Sequence, residues 1–205
     1  MENIKINCHS SICIDDAYYF DPFLIKEKKQ NAKIVFLTHP HFDHLDPSSI
    51  KNVINSETII VCPKSCLKGL KQFANKIIVV SPDEKRTVDN VEFKTFPSYN
   101  FGKYHPIENG FVGYTLSLNG TSYTICGDTD DTPELRKQRP DILFVPIGGT
   151  YTMDAVQGAN LANKVMPKIV IPVHYAKIEG TAGKEAEKTF LENLNPNIEY
   201  RILIK

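Results

Sequence analysis

The chain has 205 residues, 41% of them hydrophobic and 23% charged, with 24 Lys plus Arg against 24 Asp plus Glu. That length makes one ordinary domain with its own core, the hydrophobic content excludes intrinsic disorder, and the charge balance disfavours a nucleic-acid-binding module, whose affinity comes largely from neutralised phosphates. No stretch approaches the roughly 20 apolar residues that span a bilayer, and the start lacks the basic flank and apolar core of a secretion signal, so a cytoplasmic protein without membrane partners is expected. Residues 4–8 and 12–14 alternate in character around His9-Ser10-Ser11, predicting a hairpin with one face in the core. Residues 33–38, KIVFLT, are a continuous apolar run suited to a strand buried on both faces. Asp46 before Pro47 predicts a capped helix start. Residues 58–62 read as a buried strand, 65–73 as a helix and 77–80 as a strand. Strands follow at 91–96, 112–118 and 122–126, the last two joined by Asn119-Gly120, a strong hairpin signal. Thr132-Pro133 opens a short helix, and then come a strand at 141–145, a helix at 154–165, a strand at 169–173, a helix at 183–194 and a closing strand at 198–204. Strands first, then strands alternating with helices, predict sheets covered by helices within a single domain, 1–205. Five cysteines (Cys8, Cys13, Cys62, Cys66, Cys126) without Cys-x-x-Cys spacing read as small buried hydrophobes in a reducing compartment.

Half of the 6 histidines fall within Thr38-His39-Pro40-His41-Phe42-Asp43-His44, directly after a predicted buried strand. Residues two apart in extended chain point the same way, so His39 and His41 can converge on one ion. Asp43 and His44 follow at once and fit that geometry poorly, which a second ion beside the first resolves. Imidazole with carboxylate suits zinc, and also iron or manganese. Asp128, in Cys126-Gly127-Asp128-Thr129-Asp130, and His174, in Pro172-Val173-His174-Tyr175, each follow a predicted strand, at the rim where α/β folds place their sites.

The series His39-x-His41-x-Asp43-His44, Gly127-Asp128-Thr129 and His174 resembles the metallo-β-lactamase-fold superfamily of metal-dependent hydrolases. Within it the chain is similar to the small single-domain branch of Zn-dependent hydrolases and sugar-acid lactonases. His9-Ser10-Ser11, Asp21-Pro22-Phe23, Tyr99-Asn100 and Pro146-Ile147-Gly148-Gly149 fit that branch, and the resemblance runs from about residue 4 to residue 202. It implies an αββα four-layer sandwich with a dinuclear site at one edge. Carried over, the first metal takes His39, His41 and a third histidine, the second takes Asp43, His44 and His174, and Asp128 bridges both. The third histidine commonly follows the strand ending near Phe96, where this chain has Pro97-Ser98-Tyr99-Asn100. Two candidates remain for that slot: Asn100, as an oxygen ligand, and His105, five residues on. Ligating imidazoles need their other ring N–H held; Asp21 is the candidate for that task, and His9, on the hairpin tip, is a candidate to face the metals. Gly148-Gly149-Thr150-Tyr151-Thr152 offers backbone amides and a helix start to a substrate anion.

Two zinc ions are the expected cofactor, one if the third slot is empty, with manganese or iron compatible. A cation pair about 3.5–4 Å apart supplies hydroxide near neutral pH. Asp43 or Asp128 would orient it and take its proton, and His174, Tyr175 or His105 would protonate the leaving group. The expected function is therefore a zinc-type hydrolase that uses a metal-bound hydroxide on an ester, lactone or phosphodiester of a small metabolite. One alternative is a metal-binding or regulatory protein of the same fold with little turnover, which Asn100 in the third slot would favour. The other is a diiron oxidoreductase, against which His41 in place of glutamate and the lack of a flavin domain both count. The expected partner is a small-molecule substrate, with assembly into a homo-oligomer left open.

Overall fold

The structure, a computed structural model, describes residues 3–102, 104–176 and 178–204. It divides into two compact units, Met1–Ser81 with Ile204–Lys205 and Pro82–Leu203. The first holds a six-stranded sheet in sequence order: β1 (Ile4–Ile6), β2 (Ile12–Ile14), β3 (Tyr18–Phe20), β4 (Ile34–Phe36), β5 (Ile59–Pro63) and β6 (Lys76–Val80). β1, β2 and β3 pair antiparallel, and from β3 to β6 the pairing is parallel. The predicted hairpin is present, with Ile4 opposite Ile14, and all of β4 is buried, as a strand covered on both faces must be. β3 escapes sequence reading because three residues show no period. Pairing with β4 makes it a strand, and Phe20 stacks on Phe36 with ring centroids 4.8 Å apart.

Helix α1 (Pro47–Val53) starts as predicted: the Asp46 carboxylate accepts from Ser48 N and Pro47 takes the first position, where its missing N–H costs nothing. The helix expected over 65–73 shrinks to a 3-10 turn (Lys64–Cys66) and one α turn, α2 (Leu67–Leu70). Gly69 explains the weakness. Glycine costs about 1 kcal/mol in helix propensity, and a Cβ there would sit 2.8 Å from Leu45 Cδ2, so that the leucine would have to shift. Val35, Leu37, Ile50, Val53, Ile60 and Leu70 belong to the buried cluster that joins these helices to the sheet.

The second unit has a seven-stranded sheet ordered β13-β12-β11-β10-β9-β8-β7. Its strands are β7 (Lys85–Val88), β8 (Val91–Pro97), β9 (Val112–Leu118), β10 (Thr121–Ile125), β11 (Ile142–Pro146), β12 (Ile169–Val173) and β13 (Glu199–Tyr200), with helices α3 (Ala155–Val165) and α4 (Glu185–Asn193). β7 to β10 run antiparallel and β10 to β13 parallel. Asn119 and Gly120 both take left-handed backbone, φ 50° and 82°, as a type I′ hairpin requires. The segment after Thr132 yields only a 3-10 turn (Leu135–Lys137), because Pro140 disfavours helical backbone at the residue before it. β7 lies at a border and is armed with exposed Lys85, Arg86 and Thr87, so no apolar period marks it. The expected closing strand is two paired residues long. All five cysteines are buried without a disulfide among the described residues. No helix among those residues is long and apolar enough to cross a membrane.

Asp141 ties three strand starts together. Its carboxylate accepts from Lys168 Nζ at 2.6 Å, Ser122 N at 2.8 Å and Ser122 Oγ at 2.7 Å. The Lys168 ammonium and then the Ser122 donors hold its pKa down at about 2. A carboxylate favoured as the anion in the folded state stabilises fully above its unfolded pKa and loses that contribution as pH falls through its folded value. Asp141→Asn is expected to cost about 1 kcal/mol near pH 7, discounted for solvent screening. Urea unfolding would show that difference shrinking as pH falls from 4 toward 2; a deficit constant over that range would assign the loss to hydrogen bonding alone.

Candidate metal centre

In the first unit β4 delivers the chain into Thr38 and the histidine loop, which closes in a tight turn with His44 N and Leu45 N donating to His41 O. His39 and His44 are buried, whereas His41 is exposed. Beneath them lies Asp21, just past β3, buried and in left-handed backbone (φ 44°) directly before Pro22. That conformation costs on the order of 1–3 kcal/mol and persists only where the surroundings enforce it. Asp21 Oδ1 accepts from Thr38 N at 2.8 Å, and Oδ2 accepts from Thr38 Oγ1 at 2.6 Å and from His44 Nδ1 at 2.8 Å.

A hydroxyl has one proton, and Thr38 gives it to Asp21. Toward His39 Nδ1, 2.9 Å away, Thr38 Oγ1 must therefore accept. One carboxylate thus keeps the proton of each neutral ring on Nδ1, of His44 directly and of His39 through a hydroxyl, and leaves the lone pair on each Nε2. That is the tautomer a ligating imidazole needs. The two rings lie 4.0 Å apart by centroid, and His41 lies 4.6 Å from His39. His9, on the hairpin tip with φ 51°, is buried and its Nε2 is 3.1 Å from Asp43 Oδ2. His44 Nε2 approaches the same oxygen to 3.4 Å.

In the second unit Asp128 follows β10 and His174 follows β12, both buried, with His174 Nε2 3.0 Å from Asp128 Oδ2. His105 Nε2 is 3.5 Å from that oxygen. The other nitrogen, Nδ1, donates to Asn100 Oδ1; an amide oxygen only accepts, so in the neutral ring Nε2 carries the lone pair here too. Asn100 is fixed in turn, its Nδ2 donating to Asp130 Oδ1 at 3.0 Å while Phe101 N donates to Asp130 Oδ2 at 2.8 Å. Of the two candidates for the third slot, His105 presents a ring nitrogen to Asp128, whereas Asn100 spends its oxygen on orienting His105. His174 has φ 62° and rests on Gly148, where a Cβ would stand 2.1 Å from His174 O and 2.9 Å from its Nδ1.

The donor set fits a divalent cation. Facing acceptors repel unless a cation lies between them, and two ligands about 2.0 Å from a tetrahedral ion stand roughly 3.3 Å apart. The facing pairs His44–Asp43 at 3.4 Å and His105–Asp128 at 3.5 Å have that spacing.

Thr38, Asp130 and Gly148 act here without having been singled out as positioning groups. Their signals were position alone: next to His39, two residues past Asp128, and at the start of a glycine pair. Tyr175 is wholly buried and donates its hydroxyl proton to Glu187 Oε1 at 2.9 Å, with burial pushing its pKa up. Two amides of the glycine segment are spent inside the protein. Gly149 N is bonded to Met153 O and Thr150 N to Gly148 O, and the start of α3 is closed by the capping box of Asp154 and Gln157.

The β-lactamase superfamily domain matches residues 7–174. A UPF0173 metal-dependent hydrolase of Methanoculleus marisnigri is 30% identical over 166 residues, 76% of this chain and 71% of the relative. One of Thermoplasma acidophilum is 29% identical over 195 residues, 85% and 84% of the two chains. The crystal structure of a Parabacteroides distasonis protein assigned as a metal-dependent hydrolase matches with a TM-score of 0.80 at 29% identity, covering 100% of this chain and 94% of that one. A metallo hydrolase from Ignicoccus hospitalis matches at 0.78 and 19% identity, covering 99% and 95%, a likeness of fold. The α/β fold implied by the histidine motif is therefore the fold found, and the chain belongs to the metallo-β-lactamase superfamily, among the UPF0173 metal-dependent hydrolases.

Proposed function

We propose that the two units act as one catalytic domain, a zinc hydrolase that cleaves an ester, lactone or phosphodiester bond of a small molecule. In this reading His39, His41 and His105 hold one ion, Asp43, His44 and His174 hold the other, and Asp128 is shared. Seven donors exceed the four of a single tetrahedral site, which is why two ions are inferred. The observation that carries the reading is the pair of buried imidazole–carboxylate couples whose lone pairs face each other at a ligand-to-ligand spacing. Bound there, a cation pair supplies Lewis acidity and makes water a nucleophile near neutral pH.

The chain's own groups do the rest. Asp21 holds His39 and His44 in the ligating tautomer, and Asn100 holds His105. Asp43 and Asp128 orient the attacking water and take its proton on a carboxylate oxygen. The proton taken up by Asp43 or Asp128 then serves the leaving oxygen, since His174, spent as a ligand, has no nitrogen left to carry one. Five buried cysteines without a disulfide fit a reducing, cytoplasmic setting.

Elemental analysis of the purified protein, with a hydrolysis panel of lactones, carboxylic esters and phosphodiesters, tests this. About two zinc ions per chain are expected, with turnover abolished by chelation and restored by zinc. Metal without turnover would return the protein to a regulatory role, and iron with oxygen reduction would make it an oxidoreductase.

A further inference from the structure

Single exposed apolar side chains are ordinary, but clusters of them mark binding surfaces. Among the described residues five aromatic rings are exposed; three of them, Phe42, Phe101 and Tyr104, stand in loops that carry candidate metal donors, and a fourth, Tyr151, stands in the loop against which His174 packs. Phe42 lies between His41 and Asp43. The other three belong to the second unit: Phe101 and Tyr104 fall between Asn100 and His105, and Tyr151 follows the glycine on which His174 rests. Tyr104 and Tyr151 meet edge to face, centroids 5.0 Å apart and planes at 81°, the favoured geometry for aromatic pairs. Exposed Ile107 extends the same loop.

Hydrogen bonds tie the segments beside Phe101, Tyr104 and Tyr151. Asn100 N donates to His105 O, Phe101 N to Asp130, Thr150 Oγ1 to Gly180 O at 2.6 Å and Ala182 N to Gly148 O at 2.8 Å. Rings held on fixed loops can bind at little entropic cost. Basic side chains are sparse in the loops that carry these rings: residues 39–46 and 146–163 contain no lysine or arginine, and the loop 98–111 contains one, Lys103. The amides of Gly149 and Thr150 are bonded internally.

We propose that Tyr104 and Tyr151, with Phe101 and Ile107, bind an apolar acyl or aryl group of the substrate, so that the enzyme acts on hydrophobic carboxylic esters or lactones. This rests on the hydrolase reading above. The experiment therefore separates binding from turnover. Calorimetry on the purified protein supplemented with zinc would compare three product-like carboxylates: acetate, hexanoate and phenylacetate. Affinity is expected to rise at least about tenfold from acetate to the larger two, with a negative heat-capacity change. In the double variant Tyr104→Ala/Tyr151→Ala that gain should fall to about twofold or less while acetate binding stays as it was; both side chains are exposed, and circular dichroism checks the fold. A wild-type protein indifferent to the apolar group, or a gain that survives the double substitution, overturns the proposal. Turnover of the matching p-nitrophenyl esters and of bis(p-nitrophenyl) phosphate is read in parallel. The binding preference without any turnover would sink the hydrolase reading and keep this one; turnover without preference, or phosphodiester favoured over ester, would sink this one and keep the hydrolase.

Discussion

Replacing Asp128 by alanine is expected to lower kcat/KM by at least about a thousandfold while the chain remains folded. The size follows from its place in the proposed centre: as the shared carboxylate its loss removes a donor from both ions. His174 and His105 would then lose the oxygen that both ring nitrogens approach, at 3.0 and 3.5 Å. Elemental analysis should show fewer than two ions per chain, and Asp128→Asn, which keeps the volume and removes the charge, should behave alike. Stability should change little, because removing a buried carboxylate also removes its desolvation penalty. Full activity and full metal content in either variant would remove the dinuclear mechanism.

Gly148→Ala is expected to damage stability and metal binding together. The added Cβ would lie 2.1 Å from the His174 carbonyl oxygen and 2.9 Å from its ring nitrogen. Neither position can be relieved by rotating a flexible side chain. The conflict falls where Ile147 N donates to Val173 O at 3.0 Å, so β11 and β12 must part or His174 must shift. Overpacking of this kind costs about 3 kcal/mol, readable in urea unfolding, and zinc affinity should fall with it. Gly149→Ala is the control. Its φ of 89° strains any side chain, yet nothing lies within 4 Å of its Cβ position, so it should cost about 1 kcal/mol and spare the metal. Equal damage from the two would dissociate the effect from the His174 contact.

The fold was legible wherever the local signal and the tertiary demand agree. Residues 33–38 had to be a buried strand, Asn119-Gly120 had to turn, and Asp46-Pro47 had to start a helix. It was illegible where a neighbour decides: β3 exists because β4 pairs with it, β7 is a polar border strand, and α2, with Gly69 in its only turn, is a single turn long. The histidine loop was conspicuous because its donors crowd into six residues. The division of labour between Asn100 and His105 was not, since they stand five positions apart on a loop and only the amide–imidazole hydrogen bond tells which orients and which faces Asp128. Thr38 was invisible as a relay for a similar reason: its role depends on Asp21, seventeen positions earlier.

The borders of the seven-stranded sheet also bear on how the protein behaves when concentrated. On one side β7 presents Lys85 and Arg86, engaged with Glu92 and Glu84, and on the other β13 is two residues long. A charged margin and a stub make poor templates for an incoming strand. Fibre growth by edge-to-edge recruitment is therefore disfavoured at both borders of this sheet, and copies that pair through it have to use side chains rather than backbone.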